Sequence, residues 1–140
     1  MPSPEWAVYF YQRLNGTVPG EEFLVNCPTS VEAHFSRLLE VVAAGPPPMF
    51  QGGGFWEAMH GDMAGYHEAR KPGKFPGGQR ANFRLFCILD RTPPGLPTAA
   101  LVVLTGLWKP LRKAFRDQDY AAVRAIGDEY LATVPRRVAR

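Results

Sequence analysis

The spacing of hydrophobic positions changes along the chain, and each change of period marks a new element. Trp6 to Gln12 (WAVYFYQ) is aromatic and β-branched with a period of two, which predicts a first strand within residues 1–12. Asn15-Gly16 marks its exit. Glu21 to Asn26 predicts a turn or two of helix before Pro28. The period then lengthens: Val31, Phe35, Leu38, Leu39 and Val42 fall at i, i+4, i+7, i+8 and i+11, one face of a helix over about residues 30–44. Thr29 and Glu32 read as a capping box at its start, and Gly45 with three prolines ends it. The helical region as a whole spans 21–44.

After a loop over 45–54 (GPPPMFQGGG), the period of two returns. Met63 to Arg70 puts Tyr66, Glu68 and Arg70 on one face of a strand. Gln79 to Leu89 sends Phe83, Leu85, Cys87 and Leu89 to a core and Arg80, Asn82 and Arg84 to the opposite face. These two segments, joined by KPGKFPGGQ over 71–79, predict an antiparallel hairpin with a flexible loop. Ala99 to Thr105 (AALVVLT) reads as a buried strand in mid-sheet, with Leu107-Trp108-Lys109 at its exit. Residues 63–109 thus form a three-stranded antiparallel core. A last helix over 117–134 starts at Asp117 as N-cap, buries Val123, Ile126, Tyr130 and Val134, pairs Arg124 with Asp128 outside, and stops at Pro135. The expected fold is one α+β domain over 1–140, with a mostly antiparallel four- to five-stranded sheet packed against N-terminal helices and a C-terminal helix.

Composition supports a folded chain: 46% of the 140 residues are hydrophobic. No apolar run reaches membrane-span length, and the N-terminus lacks a signal-peptide pattern, so a cytoplasmic protein with no membrane contact is expected. Cys27 and Cys87 form no CxxC pair and read as buried free thiols. Charge is segregated. Residues 1–64 hold 2 Lys/Arg and 7 Asp/Glu, a balance of −5, whereas residues 65–140 hold 14 and 6, a balance of +8. Such asymmetry points the second half toward an anionic partner, nucleic acid first.

The candidate chemistry lies in that half. Glu68, Arg70, Arg80 and Arg84 cluster on one hairpin face, with Lys71 and Lys74 above them and Lys109, Arg112 and Lys113 arriving from the next strand. Cleavage of RNA by its own 2′-hydroxyl needs a base, an acid and cations for the growing phosphoryl charge. Guanidinium groups suit the last task, and Glu68 or a lysine suits the first. Tyr66, Phe75 and Trp108 are candidate stacking platforms for a base. His60, Asp62 and His67 lack the companions of a metal site, so neither metal nor cofactor is expected. The Gly-rich 45–54 loop lacks a P-loop's Lys-Ser/Thr pair, and neither Ser36 nor Cys87 has an identified base.

The segments MAGYHEAR (63–70), NFRLFCILD (82–90) and LVVLTGLWKPLRK (101–113) together resemble the core of the RelE/ParE toxin superfamily, in its HigB-like, phage-derived branch. The resemblance spans about residues 63–131. It implies the toxin of a type II toxin–antitoxin pair, a metal-independent endoribonuclease acting on messenger RNA at the ribosome and neutralised by a cognate antitoxin. By the same resemblance Arg70 and Arg84 contact phosphate and stabilise the transition state. Lys109, with Arg112 or Lys113, then binds the RNA backbone or assists the chemistry. The family's His before Gly is Thr105 here, its Lys-Lys pair is Lys109-Pro110, and its strand tyrosine is Phe83. The closing PRRVAR carries no tyrosine or histidine, so the general acid is unassigned. ParE-like relatives of the same fold inhibit DNA gyrase instead of cutting RNA. A catalytically inactive binding protein is the third reading.

Overall fold

The structure, a computed structural model, describes residues 5–50 and 54–140. Residues 1–4 of the expected first-strand segment and 51–53 of the Gly-rich loop lie outside the described residues. The chain runs β1 (Trp6–Tyr11), α1 (Pro19–Val25), α2 (Thr29–Ala44), β2 (Trp56–Ala58), β3 (Tyr66–Lys74), β4 (Arg80–Asp90), β5 (Ala99–Pro110), α3 (Asp117–Ala132) and β6 (Val138–Ala139). Short 3-10 turns occupy Pro47–Met49 and Gly61–Met63. The class is α+β as expected. The sheet, however, has six strands rather than four or five, in the order β2-β3-β4-β5-β1-β6. Three-residue β2 and two-residue β6 are too short to carry a periodic signal. Neighbouring strands are antiparallel except β1 and β5, where Trp6–Phe10 runs parallel to Ala99–Val103.

Each sheet face has its own helical cover. On one side α1 and α2 place Leu24, Val31, Phe35, Leu38, Leu39 and Val42 against Ala69, Phe83, Leu85, Cys87, Leu101 and Val103. On the other, Val123 and Tyr130 of α3 meet Tyr9, Tyr11, Tyr66, Phe86, Ile88, Val102 and Leu104. Leu101 to Leu104 are therefore buried whichever way they point, which is why β5 reads as an unbroken apolar run.

Several boundaries differ from expectation for local reasons. The 21–44 region is two helices, because Pro28 has no N–H to continue α1 and its carbonyl instead accepts from Val31 and Glu32 to start α2. Thr29 is consequently the first helical residue and makes no capping bond. At α3, Arg116 is the N-cap, and the Asp119 Oδ2 accepts its backbone N–H at 2.8 Å. The helix ends at Ala132, leaving Val134 70% exposed rather than buried. Arg124 reaches the Met63 sulfur at 3.4 Å instead of pairing with Asp128.

The hairpin is longer and its loop shorter than the sequence suggests. Lys71 and Lys74 sit on β3, paired with Phe83 and Arg80, and only 75–79 turns back, closed by Phe75 N–H on Gln79 O at 2.9 Å. Pro72 is compatible with a strand here. Arg70 N–H donates to Phe55 O, away from β4, so Pro72, two residues on, lacks its N–H on an open edge where no ladder bond is lost.

A bulge in β5 then decides which side chains share a face. Phe86 pairs with Thr105 and Cys87 with Val103, so Leu104 is an extra residue. Before it, even-numbered β5 residues face α3; beyond it, Leu107 and Lys109 do, opposite Arg84 and Asn82.

Candidate nucleic-acid interface

At the hairpin end of the α3 face, like charges stand directly opposite each other. Glu57 faces Glu68 across β2 and β3, and Arg70 faces Arg84 across β3 and β4. Direct like-charge pairs are unfavourable, and the diagonals offset them. Arg70 Nη2 meets the Glu57 carboxylate, and its Nε lies 3.0 Å from Glu68 Oε1, near enough for attraction though not aligned as a hydrogen bond. Arg84 Nη1 approaches Glu68 Oε2 at 3.4 Å. Glu68 is only 6% exposed, so two guanidinium groups compensate one buried carboxylate.

The neighbourhood of Arg84 is more elaborate than the sequence signalled. Its Nη1 also donates to the Tyr120 hydroxyl at 2.9 Å, and its guanidinium carbon lies 4.2 Å from the centre of the Phe115 ring. No partner is placed on its Nε or Nη2 among the described residues. Those two nitrogens form the side-on edge of the fork that matches two oxygens of a phosphate. Lys109, brought to this face by the bulge, pairs with Asp119 at 3.2 Å. The Asp119 carboxyl is held below its ordinary value by the Arg116 backbone N–H, assisted by Lys109.

The structure gathers some predicted residues and separates others. Glu68, Arg70, Arg84 and Lys109 converge on the α3 face. Lys74 and Arg80 lie directly opposite each other at the hairpin tip, exposed and without an ion-pair partner among the described residues, beside a cleft that Leu111 also lines. Arg112 and Lys113 are exposed just beyond β5, and Arg112 adopts a positive φ of 77°. Lys71 and Trp108 depart to the other face. Lys71 lies over the Phe55 ring, and Trp108 packs edge-on against Phe75 at 4.8 Å and beside Phe83. Tyr66 is buried against α3 rather than free to stack.

Glu57, Phe115 and Tyr120 belong to the cluster but were not singled out in the sequence. Tyr120 alone had a signal: it precedes Val123, Gly127 and Tyr130 at helical spacing. Among the described residues no group of three or more His, Cys, Asp or Glu side chains is placed to hold a metal. His67 instead stacks on Trp56 at 5.2 Å, and burial lowers its pKa. Cys87 is fully buried and Cys27 partly so; burial pushes the Cys27 thiol up to about 12, far from a reactive thiolate. No described helix is long and apolar enough to cross a membrane. Compared with family models, curated proteins and solved structures, the chain matches none of them.

Proposed function

We propose that this chain is a RelE/ParE-type toxin of the HigB-like kind, a cytoplasmic endoribonuclease that cuts messenger RNA on the ribosome and is held in check by a cognate antitoxin. The free side-on edge of Arg84, fixed by Glu68 and Tyr120 through the opposite nitrogen, is the observation that carries this reading. A phosphate takes that edge, Arg70 contributes charge from the facing strand, and Lys109 tracks the backbone. Glu68, on the opposite nitrogen, holds that edge in place. Lys74, Arg80, Arg112 and Lys113, without ion-pair partners among the described residues, guide RNA to the same end of the sheet.

A second reading has its own support. The corresponding edge of Arg70 is occupied by Glu57 and Glu68, an arrangement suited to a structural cluster in a binding protein without catalysis. Translating ribosomes programmed with a defined messenger separate the two, with cut sites mapped by primer extension. The proposal expects in-frame cuts that fall at least about a hundredfold on Arg84→Ala, the usual loss when one charge-stabilising donor is removed. Intact RNA on and off the ribosome would favour the non-catalytic reading, or a gyrase-type target.

A further inference from the structure

Glu57 stands where a phosphate oxygen would stand on Arg70. Its carboxylate meets Arg70 Nη2, Glu68 lies beside Nε, and no partner is placed on Nη1 among the described residues. The two acids are held with different firmness. The Glu68 side chain is 7% exposed and also serves Arg84. The Glu57 side chain is 49% exposed, and Arg70 is its one ion-pair partner among the described residues. Glu57 and Glu68 also stand directly opposite each other across β2 and β3, so turning the outer one away relieves a like-charge pair. The backbone beneath Glu57 need not move. Phe55 O accepts from Arg70 N–H at 2.8 Å, Met59 N–H donates to Tyr66 O at 2.9 Å, and Trp56 is buried against the α2 face. A change of side-chain rotamer alone therefore carries the Glu57 carboxylate into solvent. Nη1 and Nη2 of Arg70 then present the end-on edge of the fork, which fits two phosphate oxygens. There is room for one: Arg70 and Arg84 line a common crevice of about 240 Å³ with Phe55, Pro72 and Asn82.

Resting on the reading of this face as an RNA site, we infer that Glu57 is an autoinhibitory phosphate mimic, capping Arg70 in the free protein and displaced by the RNA backbone. Arg70 then turns from a neutralised member of the cluster into a second phosphate ligand, directly opposite Arg84. Binding is weaker than the bare cations would give, because RNA must first displace an anion already in place. A lone phosphate competes poorly with a tethered carboxylate. A strand already held at Lys74, Arg80 and Arg84 presents its next phosphate at high effective concentration and wins the exchange. The contact thus favours an RNA strand over small anions.

The test measures the affinity of the full chain for a short labelled single-stranded RNA at low salt. Glu57→Gln should bind about two- to fivefold tighter than wild type, the range that an exposed ion pair allows. In an Arg70→Gln background the same change should give no gain, since nothing is left to uncover. Glu57→Asp keeps the charge but ends one methylene short of Arg70. It should retain part of the gain, and it reads the same contact where Arg70→Gln does not fold. Unchanged or weaker binding by Glu57→Gln would overturn the inference and make Glu57 a support for Arg70 instead. Equal gains with and without Arg70, or wild-type affinity in Glu57→Asp, would overturn it too, leaving only long-range charge. In each of these cases, binding that is lost on Arg84→Ala keeps the RNA reading of the site. Failure of both wild type and Glu57→Gln to bind would overturn both.

Discussion

Glu68 lies between two guanidinium groups that would otherwise face each other bare across β3 and β4. Removing one member of such a cluster leaves uncompensated charge in a poorly solvated place, a larger penalty than the net worth of the ion pairs. Glu68→Gln keeps the shape and loses the charge. It should lower unfolding free energy by about 2–4 kcal/mol in urea denaturation, and an unchanged midpoint would mean that the arginines are solvated rather than compensated. Histidines give a second test. Burial lowers the pKa of His34 and His67 below the ordinary imidazole value of 6.5, and Lys71 adds to the effect at His34. Between the folded and unfolded values the unfolded chain binds protons that the folded chain does not. Stability from this source is thus complete above pH 6.5 and lost as pH falls below it. Urea midpoints should drop between pH 7.5 and 5.5, and a His34→Gln/His67→Gln double variant should show a smaller drop; equal drops would assign the dependence elsewhere.

Among elements, the β5 bulge decides most. Alternation read straight through AALVVLTGLWK would put Trp108 with Val102 and Leu104 on the α3 face and Lys109 on the other. One extra residue at Leu104 exchanges them. Sequence periodicity revealed the long strands, α2, α3 and the buried character of β5, because each presents several side chains in a repeating environment. Nothing in a period of two reports an inserted residue, so the candidate stacking platform Trp108 lies on the face away from the arginines, packed on Phe75. A period of two makes Arg70 and Arg84 legible as sharing one hairpin face, whereas their direct pairing follows from the shorter 75–79 turn, and Glu57 lies on a strand too short to detect. Beyond the bulge, Gly106 leaves room for the Phe23 ring of α1, which an added Cβ would strike. Gly106→Ala should cost about 1–3 kcal/mol by overpacking. Gly77→Ala, in the hairpin turn with nothing within 4 Å of its Cβ position, should stay within about 0.5 kcal/mol of wild type. Equal effects on thermal melts would contradict the placement of α1 over β5.

Across the whole molecule, charge is arranged by end as well as by number. The network of Tyr11, Arg13 and Glu129 and the contacts of Asp90 with Tyr130 and Arg136 pair charges where α3 and the chain's last segment return to the sheet. At the hairpin end Lys74, Arg80, Arg112 and Lys113 have no such partners among the described residues, and there the cross-strand Lys74 and Arg80 and the positive φ of Arg112 concentrate unfavourable local terms. A polyanion relieves the charge repulsion, and its affinity should respond to salt accordingly. The central claim, that this end meets RNA phosphate, is tested most directly by fluorescence anisotropy of a short labelled single-stranded RNA over a range of salt concentrations. With four to six cations engaged, log affinity should fall against log salt with a slope of about −3 to −4, and Lys74→Ala/Arg80→Ala should make it shallower by about 1.4. Arg91→Ala, at the opposite end of β4, should leave the slope unchanged. Failure of the wild type to bind, or an equal loss of slope in both variants, would contradict the account.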